Sequence, residues 1–233
     1  SLIKSIKKVK EKKPDTLIKL QVIDDNSNDE NLKKIKDLIN SNGIDCEIIN
    51  HNKSEHKEKI AAENNDETFG NLSSLLKCFE IAKKEQSDLI YFVEDDYLHY
   101  DHSLVDMLDT YERISSQHKD EIIVCPSDYP FNYMTNEKTN ILIGSRQHWR
   151  IITKMLCTFM ISKKTFQKHI DSFEKTCEKR HDPFEKYLNE ILQKEIAISP
   201  VMSLAIHLTN VNSSYGLSPF VDYKKLWDEN KVN

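Results

Sequence analysis

The sequence predicts an α/β protein with a layered fold, in which helices flank a mostly parallel central sheet. Short apolar runs with strand character, of which residues 89–93 are the clearest, alternate with segments whose apolar residues recur at helical spacing. Acidic residues directly follow two of these runs, beginning at Asp24 and at Glu94. Because ligands of such sheets bind beyond the carboxyl ends of the strands, these acids mark the expected position of a functional site.

Each predicted element rests on its own pattern of apolar residues. Strands are predicted at 17–23, 44–49, 89–93, 121–125, 139–144 and 156–161. Helices are predicted at 1–13, at 28–42, around 72–79, around 104–114, at 163–177 and at 183–195. The remaining C-terminal part is predicted to be strand-like and then irregular.

Residues that favour helix termini mark the ends of several of these helices. Pro14 ends the first helix, and Ser27 with Glu30 forms the pattern of a capping box for the second. Gly43 is expected to close that second helix. Asp182 precedes a proline, and we expect it to cap the helix that follows.

The composition excludes several classes of protein. Only four glycines occur in 233 residues, and they form neither a G-x-G-x-x-G fingerprint nor a Walker A loop. The formal net charge of -5 disfavours binding to nucleic acid through its phosphates. No apolar stretch approaches the roughly 20 residues that span a bilayer, and the N-terminus has no secretory signal pattern. Five cysteines without a C-x-x-C pair are expected as free thiols in a reducing cytoplasm.

The first 14 residues combine many lysines with an apolar stripe at helical spacing. Two interpretations of this basic helix stay open. It is either a solvated surface helix or a peripheral contact with the anionic inner face of a membrane.

The two acidic clusters also have two interpretations each. Glu94, Asp95 and Asp96 repel one another unless a divalent cation offsets their charge, but a solvated turn before a helix tolerates them too. Asp24 and Asp25 either cap the following helix or accept hydrogen bonds from a nucleobase or ribose. The residues alone leave these alternatives open.

Taken together, the two clusters resemble the nucleotide-sugar-dependent glycosyltransferases of the GT-A fold, family 2-like. A strand followed by Asp24 and Asp25, and later a strand followed by Glu94, Asp95 and Asp96, carry this resemblance. The resemblance implies that the first pair contacts the nucleoside of the donor. It implies that the second cluster is the D-x-D-type motif, in which Asp96 binds Mn²⁺ or Mg²⁺ on the diphosphate and Glu94 reaches the ribose or a metal-bound water.

The resemblance implies roles for residues outside the clusters as well. His207 is expected to bind the same metal, and an imidazole ligand suits Mn²⁺ better than Mg²⁺. Arg146 or Arg150 is expected to stabilise the departing nucleoside diphosphate, and Asp182 to act as the base that deprotonates the acceptor. Trp149, in a polar segment, is predicted as an exposed platform on which a sugar ring stacks.

The leading hypothesis is a metal-dependent glycosyltransferase that moves a sugar from a nucleoside diphosphate, with a UDP-sugar favoured, to a hydroxyl of a glycan, lipid or protein. One domain is expected over the whole chain, with a basic helix at 1–14, a nucleotide-binding half at 15–125, an acceptor-binding half at 126–225 and a tail at 226–233. The family fold normally opens with a strand before its first helix, so we expect that strand to be absent from this sequence. Two alternatives stay open: a nucleotidyltransferase of sugar phosphates, and a non-catalytic GT-A-like binding module.

Overall fold

The computed structural model describes residues 1–60, 63–209, 211–218 and 221–231 of the chain, and the fold is α/β as predicted. The helices are α1 (Leu2–Lys12), α2 (Asp29–Ser41), α3 (Asp66–Lys84), α4 (Ser103–His118), α5 (Lys163–Lys168), α6 (Ile170–Thr176), α7 (Lys186–Leu192) and α8 (Tyr223–Asn230). The strands are β1 (Leu20–Asp24), β2 (Cys46–Asn50), β3 (Leu89–Phe92), β4 (Tyr97–His99), β5 (Ile122–Val124), β6 (Ile141–Ile143), β7 (His148–Ile151), β8 (Phe159–Ser162), β9 (Ile196–Pro200) and β10 (Ala205–His207). Short 3₁₀ helices lie at Lys53–His56 and Pro130–Tyr133.

The chain divides into two compact units, each built from segments that are separate in sequence. Unit 1 comprises Ser1–Thr16, Leu89–Ser162 and Leu192–Asn233, and unit 2 comprises Leu17–Asp88 and Lys163–Ile191. The predicted halves at 15–125 and 126–225 follow the order of the chain instead, and the roles assigned to those halves stay predictions.

Unit 1 contains a six-stranded sheet with the strand order β3-β8-β5-β9-β7-β6. Among its described pairs only β5 and β9 are parallel, and the other neighbours are antiparallel. The prediction of a mostly parallel sheet is therefore wrong for this sheet. A physical reason is visible at β6 and β7, which the short turn 144–147 joins, because parallel neighbours need a crossover of a dozen or more residues.

The interior of unit 1 lies around β5, whose three residues Ile122, Ile123 and Val124 are fully buried. Helix α1 packs on α4, and Ile6 and Val9 of its apolar stripe are buried. The stripe that the membrane interpretation requires is thus largely covered within the protein. Among the residues that the structure describes, no helix is both long enough and apolar enough to cross a membrane.

Unit 2 contains a parallel pair of strands, β1 and β2, in a register that places Asp24 opposite Asn50. Helix α2 follows β1, and Asn28 caps it by accepting a hydrogen bond from the backbone N–H of Asn31 at 2.8 Å. The predicted capping box of Ser27 is therefore wrong, because the backbone N–H of Ser27 bonds to the carboxylate of Asp24 instead. Gly43 follows the helix with a φ of 60°, a conformation that favours glycine at this position.

The helices of unit 2 are held together by an aromatic cluster. The rings of Phe79, Phe166 and Phe173 lie 4.9 to 6.1 Å apart and are fully buried. Phe166 belongs to α5 and Phe173 to α6, two short helices where the sequence predicted one helix over 163–177. Packing on Phe79 of α3 therefore fixes both short helices against the same partner.

Candidate functional site

The acidic turn between β3 and β4 holds Glu94, Asp95 and Asp96 at an edge of the sheet of unit 1. The backbone N–H of Glu94 donates to Oγ1 of Thr158 at 3.0 Å, and the same hydroxyl donates to the Glu94 carboxylate at 3.2 Å. Asp95 is exposed and Asp96 is half-buried. The three acids thus face different surroundings, and Thr158 was not predicted as a neighbour.

The structure brings Asp96 and His207 together. Strand β4 pairs with β10 so that Tyr97 lies opposite His207, and Nε2 of His207 lies 2.9 Å from Oδ2 of Asp96. Thr209 donates a hydrogen bond from its hydroxyl to the same oxygen. Burial raises the pKa of Asp96, but the hydrogen bonds from His207 and Thr209 more than offset it and set the pKa below its ordinary value.

The other carboxylate oxygen of Asp96, Oδ1, is buried and has no hydrogen-bond partner among the described residues. A buried acceptor without a donor costs roughly 1–3 kcal/mol, so this oxygen suits a ligand that supplies positive charge. His207 is oriented by a contact of 3.2 Å between Nδ1 and the carbonyl of Tyr215. Nε2–H donates to Asp96 in this structure. Burial lowers the pKa of His207, but the hydrogen bond and the charge of Asp96 more than offset it and raise the pKa, so a metal ion bound through Nε2 would have to displace its proton.

The pair Asp96–His207 fits a divalent cation as two ligands of a larger set. Within the described ranges, no group of three or more His, Cys, Asp and Glu side chains could enclose an ion by itself. A cation bound at this pair would therefore take its remaining oxygens from a ligand and from water, as ions on diphosphates do.

Aromatic rings line the region around His207. The ring of Tyr97 stacks on His207 at 5.0 Å, and its hydroxyl lies 2.5 Å from that of Tyr129. Tyr215 packs against Tyr129 and stacks on Phe131 at 5.3 Å. The loop 129–133 and the segment 211–217 are thereby tied to the surroundings of the Asp96–His207 pair.

Arg150, predicted to stabilise a leaving diphosphate, lies in β7 and is largely buried. Its Nη2 lies 3.6 Å from Oδ1 of Asp128, and its guanidinium lies 4.3 Å from the centre of the Tyr133 ring. Tyr133 donates a hydrogen bond from its hydroxyl to the other oxygen of Asp128. Asp128 was not predicted as a site residue. In the sequence it is a single acid in an aromatic loop after the strand predicted at 121–125, and nothing else marks it.

Arg146 is half-exposed and lies 3.6 Å from Asp109.

Trp149 is fully buried, so the prediction of an exposed sugar platform is wrong. Its ring packs on Gly144 across the β6–β7 hairpin, and a Cβ atom at Gly144 would lie 2.3 Å from two atoms of the ring. The polar neighbours that suggested exposure, such as Gln147, belong to the turn before the strand.

In unit 2, Asp24 and Asp25 follow β1 as predicted. Asp24 is buried, accepts a hydrogen bond from the backbone N–H of Ser27 at 3.3 Å, and accepts one through its carbonyl from the N–H of His51 at 2.8 Å. Asp25 is exposed, and its Oδ2 lies 3.4 Å from the position of a Cβ atom at Gly70. Of the two acids, Asp25 is the one that presents its side chain to solvent.

Behind this strand end lies a buried chain of hydrogen bonds that the sequence did not reveal. Nε2 of His51 and Nδ1 of His56 each lie 2.8 Å from the hydroxyl of Ser73. Nε2 of His56 lies 3.2 Å from Glu80, which also pairs with Lys59. The residues 50–69 are polar in sequence, so no periodicity signalled that two of their histidines are buried.

Asp182, the predicted base, is exposed in unit 2. Helix α7 begins at Lys186, so the prediction that Asp182 caps this helix is wrong. The residues 182–185 form bends and turns rather than a first helical turn.

Comparisons with known proteins identify no family for this chain. No model of a protein family matches the chain, and no curated protein sequence matches it either.

Proposed function

We propose that the protein is a metal-dependent glycosyltransferase with GT-A-like layering, which transfers a sugar from a nucleoside diphosphate to a hydroxyl. The observation that supports this most is the contact of 2.9 Å between His207 and Asp96. Both residues were assigned to one metal from the sequence, although they lie more than a hundred positions apart. The buried, unpartnered Oδ1 of Asp96 gives a further reason to assign a cation to this pair.

The residues of unit 1 divide the chemical tasks among them. Asp96 and His207 would hold Mn²⁺ or Mg²⁺, which would supply positive charge against the leaving diphosphate. Glu94 is held by Thr158 with its carboxylate at the same turn, where it accepts hydrogen bonds from a ribose or a water. The resemblance assigns Asp24 and Asp25 to the nucleoside, with a UDP-sugar favoured as donor.

The acceptor is proposed to be a hydroxyl of a glycan or of a lipid-linked glycan. Its proton must pass to a carboxylate as the new bond forms, and the resemblance suggests the exposed Asp182 for this role. We also propose a reducing, cytoplasmic setting, which the free state of all five cysteines supports.

Nucleotide binding tests the proposal directly. Calorimetric titration of the full chain with UDP and with GDP is expected to show binding that strengthens at least tenfold when Mn²⁺ is present. Asp96→Ala should lose this metal dependence, because it removes the carboxylate assigned to the ion. Asp101→Ala removes an exposed acid five positions away and is the matched control.

Two results would contradict the proposal. One is the absence of UDP and GDP binding in both metal states, and the other is an Asp96→Ala variant that binds as the wild type does. Turnover of a sugar 1-phosphate with a nucleoside triphosphate would favour the nucleotidyltransferase alternative. Carbohydrate binding that survives joint replacement of Glu94, Asp95 and Asp96 would favour the non-catalytic module.

A further inference from the structure

Asp128 is a buried carboxylate for which the proposed function has no role so far. It lies four positions after the last residue of β5 and is 1% exposed. Its Oδ1 has no hydrogen-bond partner among the described residues, and the nearest cation, Nη2 of Arg150, stands at 3.6 Å. Burial of a carboxylate is costly unless its oxygens are paired, so this arrangement calls for an explanation.

Asp128 lies at the same edge of the sheet as the acidic turn. Strand β8 is antiparallel to both β3 and β5, so β3 and β5 run in the same direction and end at the same edge. Glu94 follows the first of these strands and Asp128 follows the second. The backbone N–H of Asp128 also donates to the hydroxyl of Ser203, which lies two positions before β10, the strand that ends at His207. Glu94, Asp128 and His207 therefore belong to one region of unit 1.

A hydroxyl already occupies the position that an acceptor hydroxyl would need. Tyr133 donates a hydrogen bond from its phenol to Oδ2 of Asp128, while its side chain is 51% exposed. The phenol therefore covers the carboxylate from the solvent side and makes the hydrogen bond that an alcohol would make. Displacement of this one half-exposed side chain gives an incoming hydroxyl access to Asp128.

The charged and titratable groups that surround Asp128 determine when it can accept a proton. Burial raises the pKa of Asp128 to about 6, although the hydrogen bond from Tyr133 and the charge of Arg150 lower it. Burial also raises the pKa of the neighbouring Cys125 to about 12, so this thiol stays neutral. A carboxylate of this kind is ionised at neutral pH and is a stronger base than an ordinary aspartate.

We propose that Asp128, rather than Asp182, accepts the proton of the acceptor hydroxyl, and that Tyr133 is the cover which this hydroxyl displaces. The inference rests on the proposed function. As the acceptor oxygen forms its bond to the anomeric carbon, its proton passes to Asp128. The bond from that carbon to the diphosphate oxygen breaks, and its electron pair leaves with the nucleoside diphosphate. The protonated Asp128 then returns the proton to water.

Placement distinguishes the two carboxylates. Asp128 belongs to the same unit and the same sheet edge as Glu94 and Asp96, and a hydroxyl already binds it. Asp182 is exposed in a turn and does not open α7, which begins at Lys186, although the resemblance expects the base at the start of a helix.

The test measures nucleotide affinity and turnover separately in the full chain. UDP- and GDP-sugars are supplied with Mn²⁺ and with alkyl glycosides as acceptors, and release of UDP or GDP is followed between pH 5 and pH 9. Asp128→Asn is expected to release nucleotide at least 100-fold more slowly, within the range typical for loss of a general base, with its affinity for UDP or GDP unchanged. Asp171→Asn, an exposed acid on α6, is the matched control and should turn over as the wild type does.

A second variant tests the cover. Tyr133→Phe removes the hydrogen bond that lowers the pKa of Asp128 before the acceptor binds, so the acidic limb of kcat/KM for the acceptor should move from near pH 6 to a higher pH. A merely structural role of Asp128 would not move this limb.

The outcomes separate the inference from the proposed function. Wild-type protein that binds neither UDP nor GDP overturns the proposed function and this inference with it. Nucleotide binding without any turnover overturns the proposed transferase activity and this inference with it. An Asp128→Asn variant within threefold of the wild type, or a loss confined to Asp182→Asn, overturns the assignment of Asp128 alone. An acidic limb that stays in place in Tyr133→Phe overturns it as well.

Discussion

The hydroxyl of Ser73 lies 2.8 Å from Nδ1 of His56 in the interior of unit 2. Nε2 of His56 lies 3.2 Å from the carboxylate of Glu80, which can only accept, so this nitrogen carries a proton. The hydroxyl of Ser73 also lies 2.8 Å from Nε2 of His51 and 3.4 Å from the carbonyl of Lys53. One hydroxyl therefore joins two buried histidines to Glu80.

The first prediction follows from the hydrogen bonds that join His51, Ser73 and His56. Ser73→Ala should lower the free energy of unfolding by about 2 kcal/mol, because it leaves two buried ring nitrogens without a partner. Chemical denaturation measures the change, and ¹⁵N NMR of the histidines should show that their tautomers are no longer fixed. Ser74→Ala, at the next and half-buried position of α3, should change stability by less than about 0.5 kcal/mol. Equal effects of the two variants would contradict the hydrogen-bond chain.

The second prediction concerns the close approach of Gly144 to Trp149. Gly144→Ala should destabilise the protein by about 1–3 kcal/mol, because its Cβ would lie 2.3 Å from the indole ring and 2.9 Å from the carbonyl of Gln147. Gly70→Ala is the contrasting variant, since its Cβ meets only a carboxylate oxygen at 3.4 Å and alanine favours the helix. Thermal unfolding compares the two, and a Gly144→Ala variant as stable as the wild type would show that Trp149 is not packed there.

The third prediction is a dependence of stability on pH that originates at His99. Burial lowers the pKa of His99 to about 4, and Nε2 of its ring lies 2.7 Å from the hydroxyl of Tyr91. The unfolded chain binds a proton at His99 below about pH 6.5 and the folded chain does not, so stability decreases as the pH falls from 6.5 towards 4. Between pH 7.5 and pH 5 this group should cost about 2 kcal/mol.

His99→Gln isolates this contribution from that of the other titratable groups. The variant should lose about 2 kcal/mol less than the wild type over the same pH interval, whatever its stability at pH 7.5. Urea denaturation at the two pH values gives the double difference. A wild type and a variant with the same pH dependence would rule out His99 as its source.

The fourth prediction concerns Thr209, whose hydroxyl bonds to the same oxygen of Asp96 as His207 does. Thr209→Val should weaken the binding of UDP in the presence of Mn²⁺ by about tenfold, because groups that orient a metal ligand contribute to affinity on this scale. Thr153→Val removes a comparable hydrogen bond to Glu137 on the surface of unit 1 and is the control. Binding of UDP without metal should be the same in both variants. A loss without Mn²⁺ as large as the loss with it would place the effect outside the metal site.

The strands were predicted well where a continuous apolar run meets an abrupt polar boundary. Residues 89–93 were predicted and β3 spans Leu89–Phe92, so the acids after it were assigned to a strand end correctly. The relative direction of the strands in the six-stranded sheet was predicted wrongly, because alternation of apolar runs does not encode whether neighbours are parallel. His207 was assigned as a partner of Asp96 only through the resemblance, since nothing in their spacing relates β4 to β10.

Side-chain burial was harder to predict than secondary structure. Trp149 and Arg150 are adjacent in a strand and both are buried. Burial of Arg150 is possible because its guanidinium lies near the carboxylate of Asp128 and over the ring of Tyr133. His51 and His56 are buried where the hydroxyl of Ser73 contacts one nitrogen of each ring. Hydrogen bonds from distant residues make these polar groups compatible with the interior, and a local pattern does not contain that information.

The division of the chain has a consequence for its synthesis. The polypeptide passes between the units after Thr16, Asp88, Ser162 and Ile191. A ribosome therefore finishes unit 2 only when most of unit 1 has also emerged, and unit 1 still lacks β9, which bridges β5 and β7. Folding of one complete domain before the next, which is usual for multidomain chains during translation, is not available to this protein. Unit 2 is complete once residue 191 has left the ribosome, and unit 1 only after β9 and β10 have followed.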